Sequence, residues 1–332
     1  DHVKETVILE KGSLQYGNPG NMINERFSHV TIVIDEQRIL LAGGNNSKGE
    51  RTDTAEIFSS DKMQWTLVDP MPLAVEKSAG VLLESGIVFI GGGWDGARPT
   101  NATFLFDIEE GNWKFGPKMS VARWGHAMAS LPDGKVLISG GVDSNSKPVK
   151  SVELYDPQTN KIEEIEPMTI ARDSHLLVQN GRGEVLAAGG YGSEGVALDS
   201  AEIFEVNSGR WVPVTNMGSP RANPSFLLLD NGQVLVAGGL LDFDTPLSTA
   251  EIFDFEIRAW GSAGSMKEAR VGHGMVQMEF GEVYIVGGFS LSPVDTIEAY
   301  KPTGGGWSTS EFLARTMLQS KDVLLAKLQI IP

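Results

Sequence analysis

The chain contains no cysteine among its 332 residues. Disulfides, thiolate metal sites and a cysteine nucleophile are therefore excluded. Basic residues are scarce as well, since 27 Lys and Arg stand against 43 Asp and Glu and give a formal net charge of −16. Phosphate backbones and anionic lipid surfaces are bound through clustered Lys and Arg. The charge balance therefore argues against a nucleic-acid or membrane-surface role.

Long hydrophobic runs are missing too, because no segment approaches the roughly 20 apolar residues that span a bilayer. We therefore expect no membrane insertion. Residues 1–15 do not show the charged-then-apolar order of a signal peptide, although a cleaved signal would leave no trace. Two Asn-x-Ser/Thr sequons begin at Asn45 and Asn101, about as many as chance supplies. A secreted or periplasmic location is slightly favoured.

A pair of glycines recurs six times along the chain, at spacings of 48 or 49 residues. Each pair follows a run of β-branched or aliphatic residues, such as Lys135-Val-Leu-Ile-Ser139. Such a run predicts a buried strand that ends where two backbones approach closely. The six pairs are Gly43-Gly44, Gly91-Gly92, Gly140-Gly141, Gly189-Gly190, Gly238-Gly239 and Gly287-Gly288.

Other residues recur in register with the glycines. Most units open with Arg-x-x-His, contain Glu-x-Phe/Tyr after the glycines, and carry a tryptophan nine residues after that Glu. The second unit has Val75 and Phe104 in place of the Arg and the Glu, and the third has Ile162 in place of the Trp. Because the Arg and the Glu are lost together, we expect the two side chains to form a buried ion pair in the other units. The tryptophans are expected to be wedges between blades.

Four short strands in each unit, joined by tight turns, are typical of a propeller blade. The combined Arg-x-x-His, double-Gly, Glu-x-Phe/Tyr and Trp pattern resembles the kelch repeat over residues 22–310. The resemblance implies an all-β, kelch-type β-propeller, which we assign to residues 1–332 as a single domain. It says little about function, because one fold hosts many activities.

The two ends of the chain suggest an additional blade. Tyr16 lies six residues before Met22, as Trp65 lies six before Met71, so residues 3–17 look like third and fourth strands. Residues 314–330 look like the opening of a further unit. Pairing the two ends would close the ring and remove both free sheet edges. We therefore predict seven blades, with six as the alternative because residues 311–332 are short for two strands.

Four of the five histidines occupy one repeat position, which indicates a structural or hydrogen-bonding role. Pseudosymmetry spreads these residues around a ring, so they cannot converge on one metal ion. The four are His29, His126, His175 and His273. We predict neither a metal nor a cofactor. Galactose oxidase also has kelch repeats, but its copper-radical cofactor includes a cysteine that this chain lacks.

Recognition is expected on the face where the loops after the glycines lie beside the connections into each first strand, because those loops vary most. Aromatic residues in these loops could anchor a peptide or stack on sugar rings. The triple glycine at 91–93, beside Trp94 in the unit that lacks Arg and Glu, is the leading indication of a site. The predicted ligand-binding residues are Trp94, Asp95, Arg98, Trp124, Tyr191, Asn223, Phe243 and Phe289.

Two functions fit this sequence. The first is a monomeric recognition module that binds a protein or a glycan through the loop face. The second is an epimerase, lyase or hydrolase that acts on a carbohydrate or small molecule at the channel mouth, with a histidine as base, an acid to orient it and an arginine to hold a carboxylate. Its candidate catalytic residues are Glu76, Lys77, Arg123, His126, Asp173 and His175. A deep polar mouth would favour the enzyme, and a flat face with exposed aromatic residues would favour binding.

Overall fold

The computed structural model describes residues 22–278, 281–294, 296–304 and 306–309. Within them, 24 strands form six four-stranded antiparallel sheets, each a meander of four consecutive strands. The sheets are the blades of a propeller, and the all-β, kelch-type architecture expected from the repeat is confirmed. A short 3₁₀ turn, Ser193–Gly195, interrupts one loop.

The blades follow one another along the chain. Blade one contains β1 (Val30–Val33), β2 (Arg38–Ala42), β3 (Ala55–Ser59) and β4 (Gln64–Val68). Blade two contains β5 (Ala79–Leu82), β6 (Ile87–Gly91), β7 (Thr103–Asp107) and β8 (Asn112–Phe115). Blade three contains β9 (Ala127–Ser130), β10 (Val136–Ser139), β11 (Val152–Asp156) and β12 (Lys161–Ile165).

The remaining three blades repeat this order. Blade four contains β13 (Leu176–Gln179), β14 (Glu184–Ala188), β15 (Ala201–Glu205) and β16 (Arg210–Pro213). Blade five contains β17 (Ser225–Leu228), β18 (Val234–Ala237), β19 (Thr249–Asp254) and β20 (Ala259–Ser265). Blade six contains β21 (Gly274–Gln277), β22 (Val283–Val286), β23 (Ile297–Lys301) and β24 (Gly306–Thr309).

In blades two to five the second strand is buried on both faces, because it lies between two strands of its own blade and between two neighbouring blades. In β10, all four residues of Val136–Ser139 are buried, which explains why these runs are continuously apolar. The fourth strands lie at the outer edge, and β12, with the sequence KIEEI, is mostly exposed.

Five buried Arg-Glu ion pairs link the opening of a blade to its third strand. In blade three, Arg123 Nη2 lies 2.7 Å from Glu153 Oε1, and Arg123 also donates hydrogen bonds to the Gly140 and Ser151 carbonyls. The prediction of a buried pair is confirmed. In blade two, Val75 and Phe104 are fully buried in one apolar cluster instead. The pairs are Arg26–Glu56, Arg123–Glu153, Arg172–Glu202, Arg221–Glu251 and Arg270–Glu298.

The fourth-strand tryptophans pack as predicted between blades. Trp211 contacts Phe204 of its own blade with ring centroids 5.2 Å apart, and its indole N–H donates to the Glu166 carbonyl of the preceding blade. In blade three, where Ile162 replaces the tryptophan, Tyr155 stacks on Phe89 of blade two at 4.1 Å.

The described residues form six blades, not seven, so the seven-blade prediction is corrected to its six-blade alternative. The strands on which a seventh blade depended were assigned to residues 3–17 and 311–332. Those residues lie outside the part of the chain that the structure describes.

Five junctions between consecutive blades, from blade one to blade six, each contain one shared apolar cluster. At each of them the N–H of the second glycine also donates to a carbonyl of the next blade, as Gly141 does to Arg172 at 2.9 Å. At the sixth junction, blade six and blade one carry separate clusters, and among the described residues Gly288 makes no such bond. The described blades are therefore joined in a continuous series from one to six.

The glycine register of the second blade differs from the prediction. Gly91 ends β6, paired with Thr103, whereas Gly92 and Gly93 have φ of +63° and +108°. These angles match those of Gly43 and Gly44, at +69° and +91°. The repeated pair is therefore Gly92-Gly93, and a Cβ on Gly91 would lie 3.0 Å from Met128 Cε. The additional glycine makes room for the Met128 side chain, so its absence of a Cβ has a packing role.

Candidate functional site

Each blade presents one pair of facing residues on the loop face. The first member, here called the opening position, follows the repeat arginine or its replacement Val75, and the second follows the glycine pair. The two members form an isolated β-bridge in every blade. The six pairs are Phe27/Asn45, Glu76/Trp94, Trp124/Val142, Asp173/Tyr191, Ala222/Leu240 and Val271/Phe289. These twelve positions therefore present one residue pair per blade on the loop face.

Directly after each opening position comes a residue with a left-handed backbone conformation, and these six residues form a collar around the mouth of the propeller's central channel. They are Ser28, Lys77, Gly125, Ser174, Asn223 and Gly272. Their φ values lie between 47° and 65°, a conformation that costs energy for Lys77, Ser174 and other non-glycine residues. The N–H of Lys77 donates to the Ser28 carbonyl, that of Gly125 to Lys77, that of Ser174 to Gly125 and that of Asn223 to Ser174. The collar thereby holds the openings of blades one to five in fixed relative positions.

Below the collar, the central channel encloses about 380 Å³. Its mouth is polar, with Ser28, Lys77, Ser174 and Asn223, while Met128, Leu177 and Phe226 line it farther in. His126 and His175 belong to the wall and are almost fully buried. Burial lowers the pKa of His126 to about 3 and that of His175 well below its ordinary value, with nearby arginines adding to the effect. Neutral histidines of this kind are weak general bases near neutral pH.

A larger groove of about 860 Å³ lies beside the mouth, between the loops of blades three, four and five. We call it the mouth groove. It shares Lys77, Ser174 and Asn223 with the channel. Its remaining lining residues include Trp124, Lys147, Asp173, Tyr191, Glu194 and Phe243.

One wall of the mouth groove is cationic and aromatic. The Lys77 ammonium lies 4.5 Å from the centroid of the Trp124 ring, within the range of a cation–π contact. Lys147, in the loop of blade three, is exposed on the same side.

The opposite wall is aromatic and acidic. Tyr191 and Phe243 are stacked with centroids 4.9 Å apart, and the Tyr191 hydroxyl donates to the Asp242 carbonyl at 3.1 Å. Phe243 is nevertheless 71% exposed. Asp173 lies beside Tyr191 across the bridge and is 6% exposed. Burial raises the pKa of Asp173 to about 6, although the Ser174 hydroxyl and Lys77 oppose the shift.

In blade two, the corresponding acid is already bound within the protein. Glu76 accepts hydrogen bonds from Arg51 and from the Asn45 side chain, both in the loop of blade one. Asn45 is only 4% exposed, and the Asn101 amide donates to the Met119 carbonyl. Both sequon asparagines therefore have structural hydrogen bonds in the folded protein.

The structure brings together some of the predicted ligand-binding residues and separates others. Trp124, Tyr191, Asn223 and Phe243 line the mouth groove, together with Lys77 and Asp173 from the candidate catalytic set. The residues that do not line it are Trp94, Asp95, Arg98 and Phe289. Trp94 is half-buried opposite Glu76, and Phe289 is 51% exposed in the loop of blade six.

The candidate catalytic residues are not assembled in one place. Arg123 is fully buried in its ion pair with Glu153, and Glu76 is held by Arg51. His126, His175 and Lys77 line the channel, and Lys77 also lines the mouth groove with Asp173.

Reasoning from the sequence missed Arg51, Lys147 and Glu194. These residues lie in variable loops, so no repeat position distinguishes them. The pairing in the isolated β-bridges identifies the position of Arg51, because Arg51 pairs with Asn45 just as Pro148 pairs with Val142 in blade three.

No helix in the described ranges has the length and hydrophobicity needed to cross a membrane. No group of three or more histidines and carboxylates within those ranges could hold a metal ion.

Comparisons with known proteins agree with this architecture. The model of the KLHDC2/KLHL20/DRC7 Kelch-repeats domain matches residues 81–288. Human (Homo sapiens) Kelch-like protein 34 is 33% identical over 100 residues, which are 29% of this chain and 16% of that protein. The solved structure of YjhT superimposes with a TM-score of 0.70, covering 87% of this chain and 99% of that one at 12% identity, which shows the fold alone. Six blades with the repeat residues in register and a family match over most of the chain lead to one conclusion: this chain belongs to the Kelch-repeat family.

Proposed function

We propose that this propeller binds a protein partner through the mouth groove and holds a segment of that partner between its two walls. The observation that carries the proposal is the stacked Tyr191–Phe243 pair, which leaves Phe243 71% exposed above the groove. A large aromatic ring held in place by a neighbour and still open to solvent is the kind of anchor that dominates protein interfaces. Kelch propellers typically bind proteins, which supports the same conclusion.

The charges in the groove favour a polypeptide over a neutral glycan. Lys77 and Lys147 lie on one side, and Asp173 and Glu194 lie on the other. A peptide can carry both charge signs and an apolar anchor in one short segment, whereas a neutral glycan would leave the buried Asp173 without an ionic partner. The glycan hypothesis and the enzyme hypothesis both stay predictions.

A random dodecapeptide library displayed on phage, selected on the immobilised propeller, tests this proposal. We expect the selected peptides to lose affinity by about tenfold or more in the Phe243→Ala and Trp124→Ala variants. Phe115→Ala is the matched control, because Phe115 is 64% exposed on β8, outside the groove lining. Failure to enrich any peptide, or equal binding by the groove variants and wild type, would show that the mouth groove is not the binding site.

A further inference from the structure

Two of the six opening positions carry an acid, and each acid faces an aromatic residue of its own blade. Glu76 faces Trp94 in blade two, and Asp173 faces Tyr191 in blade four. The backbones of Asp173 and Tyr191 exchange both hydrogen bonds, at 3.0 and 2.8 Å, so the two side chains lie on the same side of the bridge. Each acid therefore lies next to an aromatic ring on the loop face.

The acid in blade two is neutralised by an arginine from the preceding blade. Arg51 Nε lies 3.1 Å and Nη2 lies 2.7 Å from the same Glu76 oxygen, Oε1, while Asn45 donates to Oε2. Arg51 and Asn45 face each other in the loop of blade one. The protein thus shows how a guanidinium group satisfies an acid at this repeat position.

The acid in blade four has no such arginine. The positions of Asn45 and Arg51 are taken by Val142 and Pro148 in blade three, and neither side chain can donate a hydrogen bond. The Asp173 carboxylate accepts a hydrogen bond from the Ser174 hydroxyl at 2.9 Å. Among the described residues, no Lys or Arg nitrogen lies within 4.0 Å of it.

Lys77 does not substitute for that arginine, because its ammonium is held over the Trp124 ring. Asp173 is therefore a carboxylate that is 6% exposed, lines an open groove and forms no salt bridge with a described residue, although Lys77 acts on it at longer range. Burying a charge in this way costs free energy that a cation could recover. The raised pKa of Asp173, at about 6, is consistent with that cost.

We propose that Asp173 receives the guanidinium group of an arginine side chain in the bound protein segment, in the manner in which Glu76 receives Arg51. This inference rests on the proposed function and adds the chemistry of the partner. A guanidinium suits the site better than an ammonium because its planar, delocalised fork can pair with a carboxylate while its stem covers the Tyr191–Phe243 rings.

The peptides selected from the library provide the first test. We expect arginine to be enriched at one position of these peptides. We also expect Asp173→Asn to weaken their binding by about tenfold to a hundredfold, the usual range for a hydrogen bond to a charged group. Replacing that arginine by citrulline, which keeps the shape and removes the charge, should have the same effect on the wild type and little on the variant. Asp244→Asn is the control, because Asp244 is an exposed acid outside the groove lining.

A second variant tests the site without any peptide. Pro148→Arg places an arginine where blade one has Arg51, and we expect it to pair with Asp173 from within the protein. The pKa of the Asp173 carboxyl, followed by ¹³C NMR, should then fall well below 6, and the selected peptides should bind at least about tenfold more weakly. An unchanged Asp173 pKa together with unchanged peptide binding would contradict the proposed pairing.

The outcomes separate the two proposals. Peptides that depend on Phe243 but lack arginine, or that bind equally to Asp173→Asn, overturn the arginine inference and leave the protein-binding groove in place. A library that yields no groove-dependent peptide overturns both proposals.

Discussion

Arg172 and Glu202 form an ion pair, with 3.1 Å between Nη2 and Oε1, in which both side chains are buried. The carboxylate also accepts hydrogen bonds from the backbone N–H groups of Thr169 and Ile170. The pair therefore ties the opening of blade four to its third strand. Blade two shows that the same position also tolerates an apolar pair, Val75 and Phe104.

Breaking this ion pair on one side should be more harmful than replacing it entirely. We expect Arg172→Val to lower the free energy of unfolding by about 3–5 kcal/mol, because it leaves Glu202 charged and buried. The double variant Arg172→Val with Glu202→Phe copies blade two. It should be less destabilised than the sum of the single variants by at least about 2 kcal/mol. Urea denaturation of the four proteins measures this coupling, and additive effects would show that the two residues do not act as a pair.

We expect the folded protein to lose stability in mild acid because of its buried histidines. Burial lowers the pKa values of His126 and His273 from 6.5 to about 3. Below pH 6.5 the unfolded chain binds protons that the folded protein does not, so stability falls as the pH drops from 6.5 towards 3. At pH 5, each of these histidines should lower the free energy of unfolding by about 2 kcal/mol. Urea unfolding at pH 7 and pH 5 measures the loss, and imidazole pKa values near 6.5 by NMR would contradict the cause.

Asp173 should have the opposite effect from the histidines and lower the stability of the folded protein as the pH rises. In the folded protein the pKa of Asp173, at about 6, lies above the ordinary 3.8. The free energy of unfolding therefore falls as the pH rises from 3.8 through about 6, because the unfolded chain loses this proton first. Asp173→Asn avoids this loss and should raise the free energy of unfolding at pH 7.5 by up to about 3 kcal/mol. The difference from wild type should almost vanish at pH 4. Thermal unfolding at both pH values tests this, with Asp244→Asn as the exposed control, and a destabilised Asp173→Asn protein at pH 7.5 would contradict it.

Two glycines with similar backbone angles should respond differently to alanine. Gly140 has φ +64°, and a Cβ there would lie 2.3 Å from the Arg172 carbonyl oxygen of the next blade. Gly134 has φ +80°, with no atom within 4 Å of its Cβ position. Gly134→Ala should cost about 1–2 kcal/mol from the left-handed conformation alone. Gly140→Ala should cost more than about 4 kcal/mol, because a blade junction must move. Similar melting temperatures for the two variants would show that the close approach is not needed.

Much of the fold could be predicted from the sequence because each blade is a local unit. The period of the glycine pairs, the buried second strands and the joint loss of Arg and Glu at Val75 and Phe104 all concern residues within one repeat or one shared position. The register of the triple glycine could not be read in the same way. Any two consecutive members of 91–93 fit the spacing, and the positive φ angles and the packing of Met128 identify the pair.

The candidate site could be predicted only in part. Aromatic residues in the variable loops selected Tyr191 and Phe243, and the entry into the first strand of blade three supplied Trp124; these three residues meet in the mouth groove. They did not show that Trp94 and Phe289 lie outside this groove, because the sequence does not show which loops converge. The candidate catalytic residues lie in different places for a related reason: adjacent positions of the repeat put Arg123 in an ion pair and Asp173 in the groove.

By itself, then, the sequence determined the blade, its repeated strands and the residues that hold it together, since these depend on interactions within a period of about 49 residues. Only the tertiary structure decided which loops form a common groove. The mouth groove is made by Trp124 from blade three, Asp173 and Tyr191 from blade four, and Phe243 from blade five. Nor does the sequence show that Glu76 has its arginine and Asp173 has none, because that difference depends on which residue of the neighbouring blade lies beside each acid.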